Sequence, residues 1–286
     1  MIKFGIGYEM ECNDNLTVSE LVTIDNIIKK FDWIRCDLDR NIFRDRFIDL
    51  FRRIHKDDRW LIYELSSKLV NITINNYPLY CKKIVNDISS ELGYKPSQIY
   101  LVPILKSEDK YKIKSGHSIA YFMKSIFDIL YGHEISAKIN ILSDVSFLKK
   151  GKKRLIIFCD TFIGAGGQAA ECLNRYFAQY RQESDIIAIA TIVILRSGLK
   201  RLTELGYKVF YCFLHSRGIS DDPKLCLCNA INTMKRIEQQ LNISEKYSLG
   251  SSQSEALLAF DSKAPNNTFP IYWLAGKSKL NTVFYR

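Results

Sequence analysis

The sequence has no apolar run near the roughly 18 consecutive residues that a membrane helix requires, so a chain built on membrane-spanning helices is excluded. Its opening, Met1-Ile2-Lys3-Phe4-Gly5, runs into acidic residues where a secretory leader would carry an apolar core, and a cytoplasmic location is expected. Internal repeats and low-complexity stretches are also missing, which excludes solenoids and linker-dominated chains. The 8 cysteines lack the spacing of a disulfide framework or a zinc site. Cys159, Cys172 and Cys212 fall on apolar strand or helix faces, and Cys226-Leu227-Cys228 has neither the two-residue spacer nor the second pair of a zinc knuckle. Negative charge is the scarcer sign: 31 acidic against 41 basic side chains leave a formal charge of +10. That excess favours a polyanionic partner, RNA or DNA, over an acidic one, and a basic surface that serves solubility alone is the alternative.

What is present suits a globular α/β protein. At 286 residues with 47% apolar side chains, the chain can bury one large core or two modest ones. The first ninety-odd residues read as helices. Thr17-Val18-Ser19-Glu20 is a capping-box pattern ahead of Leu21, Ile24, Ile27, Ile28 and Phe31 at helical spacing. From Asp39 to His55, Ile42, Phe43, Phe47, Leu50, Phe51 and Ile54 share one face, and Arg40, Arg44, Arg52 and Arg53 lie toward the other. Such a face suits nucleic-acid phosphates; equally, Asp45 and Asp49 offer it ion-pair partners along the helix. Phe31, Trp33 and Trp60 are expected in the core. A third helix is expected over Asp58 to Leu69, a connection over Asn71 to Asn76, and a fourth helix from Pro78 to Leu92 with Gly93 as its stop.

From Pro96 the period changes. Strands are expected at 99–104, 154–159, 186–195 and 208–214, with helices from His117 to Leu130 and over 167–180, 198–205 and 224–241, then an irregular tail. Alternating β and α units imply a mostly parallel sheet flanked by helices. The expected division is residues 1–95 as a helical region and 96–286 as an α/β domain.

The stretch Leu155-Ile156-Ile157-Phe158-Cys159-Asp160-Thr161-Phe162-Ile163-Gly164-Ala165-Gly166-Gly167-Gln168 carries the chemistry. An apolar strand empties into a carboxylate and a glycine-rich turn that opens a helix, so backbone N–H groups converge beside a positive helix end. A plain βα connection is the bland alternative. Gly164 to Ala169 also satisfies the dinucleotide fingerprint G-x-G-x-x-G/A, but Asp160-Thr161 intervenes and the next strand ends in Arg196, with Asp185 at its start, so no nicotinamide site is expected.

This segment resembles the phosphoribosyl-pyrophosphate loop of type I phosphoribosyltransferases, in which an apolar strand precedes two acids, a short run, two hydroxyl residues and a glycine. Asp160 and Gly166 match; the second acid falls on Thr161 and the hydroxyl positions on Gly164 and Ala165. Within that class the chain is similar to phosphoribosyltransferase-like proteins of bacterial anti-phage conflict systems, some encoded beside retron reverse transcriptases. Lys114-Ser115-Gly116 and the ending Pro265-Asn266-Asn267-Thr268-Phe269-Pro270-Ile271-Tyr272-Trp273 support that branch.

The resemblance implies a type I phosphoribosyltransferase-like α/β fold after the N-terminal helical region. It implies Asp160 near the ribose hydroxyls, directly or through Mg²⁺, with Thr161, Gly164, Ala165, Gly166, Gly167 and Gln168 around a 5′-phosphate and Lys114, Ser115 and Gly116 gripping a diphosphate. Asn266, Asn267 and Thr268 would form a lid over a base, or a turn capping the core above Phe269 and Trp273. His215 and Arg217 follow the 208–214 strand to the same sheet edge and complete the candidate set. The ligand expected is a nucleotide or phosphoribosyl pyrophosphate, and a reverse transcriptase ribonucleoprotein is a further candidate partner. Three readings stand: a glycosyl-transferring effector of a defence system, an inactive module binding nucleic acid or ribonucleoprotein, and a nucleotide-salvage transferase. The helical leader and the charge of +10 weigh against the third.

Overall fold

The computed structural model describes residues 15–30, 37–92, 98–132, 138–151, 153–261, 263–274 and 282–284. Phe31, Trp33 and Gly93 lie outside them. The chain forms two compact units, Met1–Ile72 with Arg217–Arg286, and Thr73–Ser216. The boundary expected between residues 95 and 96 is therefore not where the chain divides.

In the first unit, α1 (Val18–Lys29) starts at the expected capping box: Thr17 N–H donates to Glu20 Oε2 at 2.8 Å and Glu20 N–H to Thr17 Oγ1 at 3.2 Å. Helix α2 (Asp37–Arg52) buries Phe43, Phe47, Leu50 and Phe51, and α3 (Arg59–Lys68) buries Leu61, Ile62 and Leu65. These join Phe269, Tyr272, Trp273 and Phe284 in one core. Trp60 is not part of it; the indole is 39% exposed, because it stands on the side of α3 away from Leu61 and Leu65. A short parallel pairing joins the two segments of this unit: β1 (Val70–Ile72) pairs with β7 (Leu258–Phe260), Asn71 opposite Ala259. The expected connection at 71–76 and irregular tail thus contain strands. The expected 224–241 helix is two, α8 (Pro223–Leu227) and α9 (Ala230–Gln240), since Asn229 takes the left-handed conformation between them, φ 54°.

The second unit opens with α4 (Tyr77–Leu92), whose buried Cys81, Ile84, Val85 and Ile88 follow helical spacing. Its sheet is entirely parallel, ordered β3-β2-β4-β5-β6, with β2 (Gln98–Pro103), β3 (Ile139–Ile141), β4 (Arg154–Ile163), β5 (Ile186–Leu195) and β6 (Val209–His215). The expected alternation holds, with β3 added and β4 four residues longer than its expected end. Side chains alternate between covered faces. Phe158 meets Tyr176 of α6 (Gly167–Gln179) at a ring separation of 5.5 Å, and Cys159 puts its Sγ 3.8 Å from Met123 of α5 (Ser115–Tyr131). The last helix, α7 (Arg196–Glu204), links β5 to β6.

One buried ion pair anchors the bottom of β4. Arg154 donates through Nε to Asp185 Oδ1 at 2.7 Å and through a second nitrogen to Oδ2, and the Tyr176 hydroxyl donates to the same carboxylate. Burial disfavours the Asp185 charge, but the hydrogen bonds from Arg154 and Tyr176 outweigh it and hold the carboxyl below its ordinary value. This Asp serves the scaffold, consistent with its place at the amino end of β5.

Candidate phosphate-binding site

The strand order turns back beside β2: the chain steps outward from β2 to β3, then returns to the other flank of β2 as β4. The connections from β2 and β4 run in opposite directions there, the switch point at whose carboxyl edge ligands of open α/β sheets bind. The register sets Pro103 of β2 beside Cys159, one residue before Asp160.

Asp160 lies within the longer β4, opposite Thr191 of β5, and is half-buried. Ser115, first residue of α5, donates its hydroxyl to Asp160 Oδ1 at 2.8 Å, and the Thr161 N–H donates to the same oxygen at 2.7 Å. Burial pushes the Asp160 carboxyl up to about 6, and these two bonds limit the rise. Thr161, in the position of the second acid, is only 5% exposed. Gly116 is where α5 meets the sheet; a Cβ there would stand 2.5 Å from the Cys159 carbonyl oxygen. Lys114 is exposed, with its ammonium 3.4 Å from Asp109. So the structure brings Ser115 to Asp160, assigns Gly116 to packing, and leaves Lys114 in solvent on the same loop.

After β4 the turn Gly164-Ala165-Gly166 leads into α6. Gly166 caps that helix with φ 76°, a conformation that disfavours any side chain. A Cβ on Gly198 of α7 would overlap the Gly164 carbonyl oxygen, so the turn and α7 lie backbone against backbone. Gln168 is occupied: its side-chain amide donates to the Ile104 carbonyl at 3.0 Å, tying α6 to the end of β2. The sequence pattern did not single out Gly198 or, three residues on, Arg201, whose Cδ lies 3.5 Å from a Cβ placed on Gly166. Only the crossover between β5 and α7 makes them neighbours of the turn.

Of the remaining candidates, His215 lies in the same unit as this cluster and the others do not. His215 ends β6 opposite Leu195, two strands from β4, or roughly 10 Å by ordinary strand spacing. Arg217 belongs to the other compact unit and is held there by Asp221, with Nε to Oδ1 at 3.1 Å and Nη2 to Oδ1 at 2.9 Å. Asn266, Asn267 and Thr268 are also in that unit. Asn267 donates to Ser254 Oγ at 3.1 Å, and Thr268 is fully buried, giving its hydroxyl to the Leu258 carbonyl at 2.6 Å and accepting from Trp273 Nε1 at 2.7 Å. Of the two expectations for this ending, the geometry is that of the turn over Phe269 and Trp273, both buried. On α2, Arg44 meets Asp25 at 2.7 Å and Arg53 meets Asp49 at 3.6 Å, while Arg52 is exposed. Arg40 is exposed on that helix as well.

For a divalent cation the donor set is thin. Among the described residues no three His, Cys, Asp or Glu side chains cluster as a metal site. One carboxylate and a hydroxyl fit a Mg²⁺ that arrives with a diphosphate and keeps phosphate and water as its other ligands. No helix among the described residues is long and apolar enough to cross a membrane.

A parallel sheet flanked by helices, with a carboxylate and a glycine-rich turn at its switch point, defines an α/β protein with the phosphoribosyltransferase-like fold. More particularly, the chain belongs to the PRTase-CE family, whose model matches residues 38–286 and so takes in the α2 helix from its second residue, the whole sheet and the C-terminal turn. No curated protein matches the sequence.

Proposed function

We propose that the protein binds a phosphorylated ribose, as a nucleotide or as phosphoribosyl pyrophosphate with Mg²⁺, at the carboxyl ends of β2 and β4, and acts there as a phosphoribosyltransferase-like effector. The observation that carries this reading is the Ser115–Asp160 hydrogen bond, because it gathers a carboxylate, the α5 start and the turn before α6 at one switch point. Asp160 takes the ribose hydroxyls, the amides of 164–167 take the 5′-phosphate, and Ser115 with Lys114 faces the diphosphate. In the transfer step a base nitrogen bonds to the anomeric carbon as the bond to diphosphate breaks and the diphosphate leaves with the electron pair. The Asp160 carboxylate, ionised at neutral pH, steadies the oxocarbenium-like ring between.

A second reading has one observation in its favour. Thr161 replaces the second acid with a buried side chain, and Gly164 and Ala165 bring no hydroxyls, which suits a member that binds without turnover. In that case the charge of +10 and the α2 arginines recruit nucleic acid or a ribonucleoprotein. The anti-phage role rests on the resemblance of the Asn266-Asn267-Thr268 ending, and a cytoplasmic setting goes with it.

Thermal-shift titration with phosphoribosyl pyrophosphate and Mg²⁺, on wild type and Asp160→Ala, tests the binding reading. A midpoint that rises with ligand in wild type alone supports it. No shift in either protein rejects it. Plating efficiency of phage on cells carrying the wild-type or Asp160→Ala gene tests the defence role, which equal plaque numbers with and without the gene would reject.

A further inference from the structure

Arg201 is a cation set against the turn before α6. It stands one helical turn after Gly198 on α7, so the two residues share a face. Because Gly198 has no side chain, that face rests on the Gly164–Gly166 backbone, and Arg201 is carried over the turn. Its Cδ lies 3.5 Å from a Cβ placed on Gly166, and its Nη1 lies 3.7 Å from one placed on Gly167. The neighbouring cations are engaged: Lys200 reaches Glu204 at 3.8 Å, Arg175 reaches Asp144 at 2.6 Å, and Arg196 donates to Ser216 at 3.5 Å. Among the described residues no carboxylate pairs with the Arg201 guanidinium, which is exposed to solvent on the side of the turn.

We propose that Arg201 determines specificity at this turn, closing its guanidinium onto the terminal phosphate of a ribose 5-phosphate group. The inference rests on the reading of the loop given above and names the kind of phosphate it takes. Gly164 and Ala165 provide no hydroxyls, so the amides of 164–167 alone face a doubly charged group. A planar guanidinium supplies both the charge and two parallel donors. A terminal monoester has three free oxygens, enough for two to meet the Arg201 fork while the third meets the turn. An internal phosphodiester has two free oxygens and a single charge, and satisfies only one of these partners. The site therefore takes a nucleotide, a phosphoribosyl donor or a 5′-phosphorylated end, and refuses the interior of a nucleic-acid strand.

The test is calorimetric titration with ribose 5-phosphate and with its 5′-methyl phosphodiester, on wild type, Arg201→Gln, Arg201→Lys and Gly166→Val. Circular dichroism checks that each variant is folded, and the exposure of Arg201 makes its two variants the safe comparison. Wild type binds the monoester and discriminates against the diester. Arg201→Gln weakens the monoester by about ten- to hundredfold, the range of a charged hydrogen-bonded contact, and brings the two ligands close to parity, while Arg201→Lys recovers part of the affinity. Should Arg201→Gln bind the monoester as tightly as wild type while folded Gly166→Val does not bind it, the loop reading stands and the role of Arg201 is overturned. Should wild type bind neither ligand, the loop reading fails and the Arg201 inference fails with it.

Discussion

Ser115 donates its hydroxyl to Asp160 at 2.8 Å, joining the first turn of α5 to the carboxyl end of β4 across the point where the strand order reverses. The contact makes one unit of two loops that leave the sheet in different directions. It also opposes the effect of burial on the carboxyl, because the hydroxyl stabilises the charged form more than the neutral one.

Removing that hydroxyl with Ser115→Ala moves the Asp160 carboxyl further above its value of about 6, which a carbon-detected carboxylate titration reads directly. Since the folded value lies above the unfolded value of about 3.9, the contribution of Asp160 to stability is fully present below about pH 4 and is lost as pH rises through about 6. Asp160→Asn removes the cost of holding that charge. Discounted for partial exposure, it gains about 1–2 kcal/mol over wild type at pH 8 and almost nothing at pH 4, in urea unfolding at both pH values. A gain that is equal at the two pH values would mean that Asp160 titrates normally.

Two glycines near the turn separate packing from flexibility. Gly198→Ala drives a methyl group into the Gly164 carbonyl, and overpacking of this kind costs about 1–3 kcal/mol and moves α7 off the turn. Gly167→Ala meets only the end of Arg201, at 3.7 Å, and occupies the first helical position of α6. Its stability stays level or rises by up to about 1 kcal/mol, since alanine lowers the entropy of the unfolded chain. Denaturation midpoints with equal m-values measure both. Equal losses would show that α7 does not rest on the turn.

The parts legible in the sequence are those whose physics is local. Ile186 to Leu195 is apolar at every position but Thr191 because a strand of a parallel sheet is covered on both faces, and it forms β5 over those residues. Asp160 and Gly166 were readable because the change from apolar strand to carboxylate to left-handed glycine leaves its mark within a few residues. What could not be read depends on distant chain. The partner of β1 is β7, far along the chain, and β3 is only three residues long. The discontinuous first unit is held by that pairing and by a core to which both of its segments contribute. Gly198 and Arg201 reach the turn through a crossover that no spacing rule encodes, and the Asn229 break in the 224–241 helix needs a left-handed residue that asparagine tolerates without requiring.

The α2 arginines divide by partner. Arg44→Glu sets like charge against Asp25 and Arg53→Glu does the same against Asp49, each costing up to about 1 kcal/mol in thermal or urea unfolding. Arg52→Glu, on the exposed side, changes stability by less than about 0.5 kcal/mol. Reversing Arg52 lowers the slope of log affinity for nucleic acid against log salt by no more than about 1, at about 0.9 for the phosphate that is no longer neutralised, and reversing Arg44 and Arg53 with it adds nothing while both hold their carboxylates. An unchanged slope returns the face to ordinary surface. A larger fall would show that the two ion pairs open when nucleic acid binds.

Thr268 decides between a lid and a turn for the C-terminal motif. Its hydroxyl is spent on the Leu258 carbonyl and its own carbonyl on the Trp273 indole, with no exposed surface left for a base. Thr268→Val keeps the shape, loses the hydroxyl bond and costs about 1–2 kcal/mol. For a chain of this size that is a fall of a few degrees in the unfolding midpoint. Trp273→Phe unpairs the Thr268 carbonyl, thins the packing above it, and costs more than Thr268→Val does. Both variants, assayed well below their midpoints, bind phosphoribosyl pyrophosphate with wild-type affinity if the motif is a turn. A lid would give the opposite pattern, with donor affinity falling in Thr268→Val while its midpoint stays where it was.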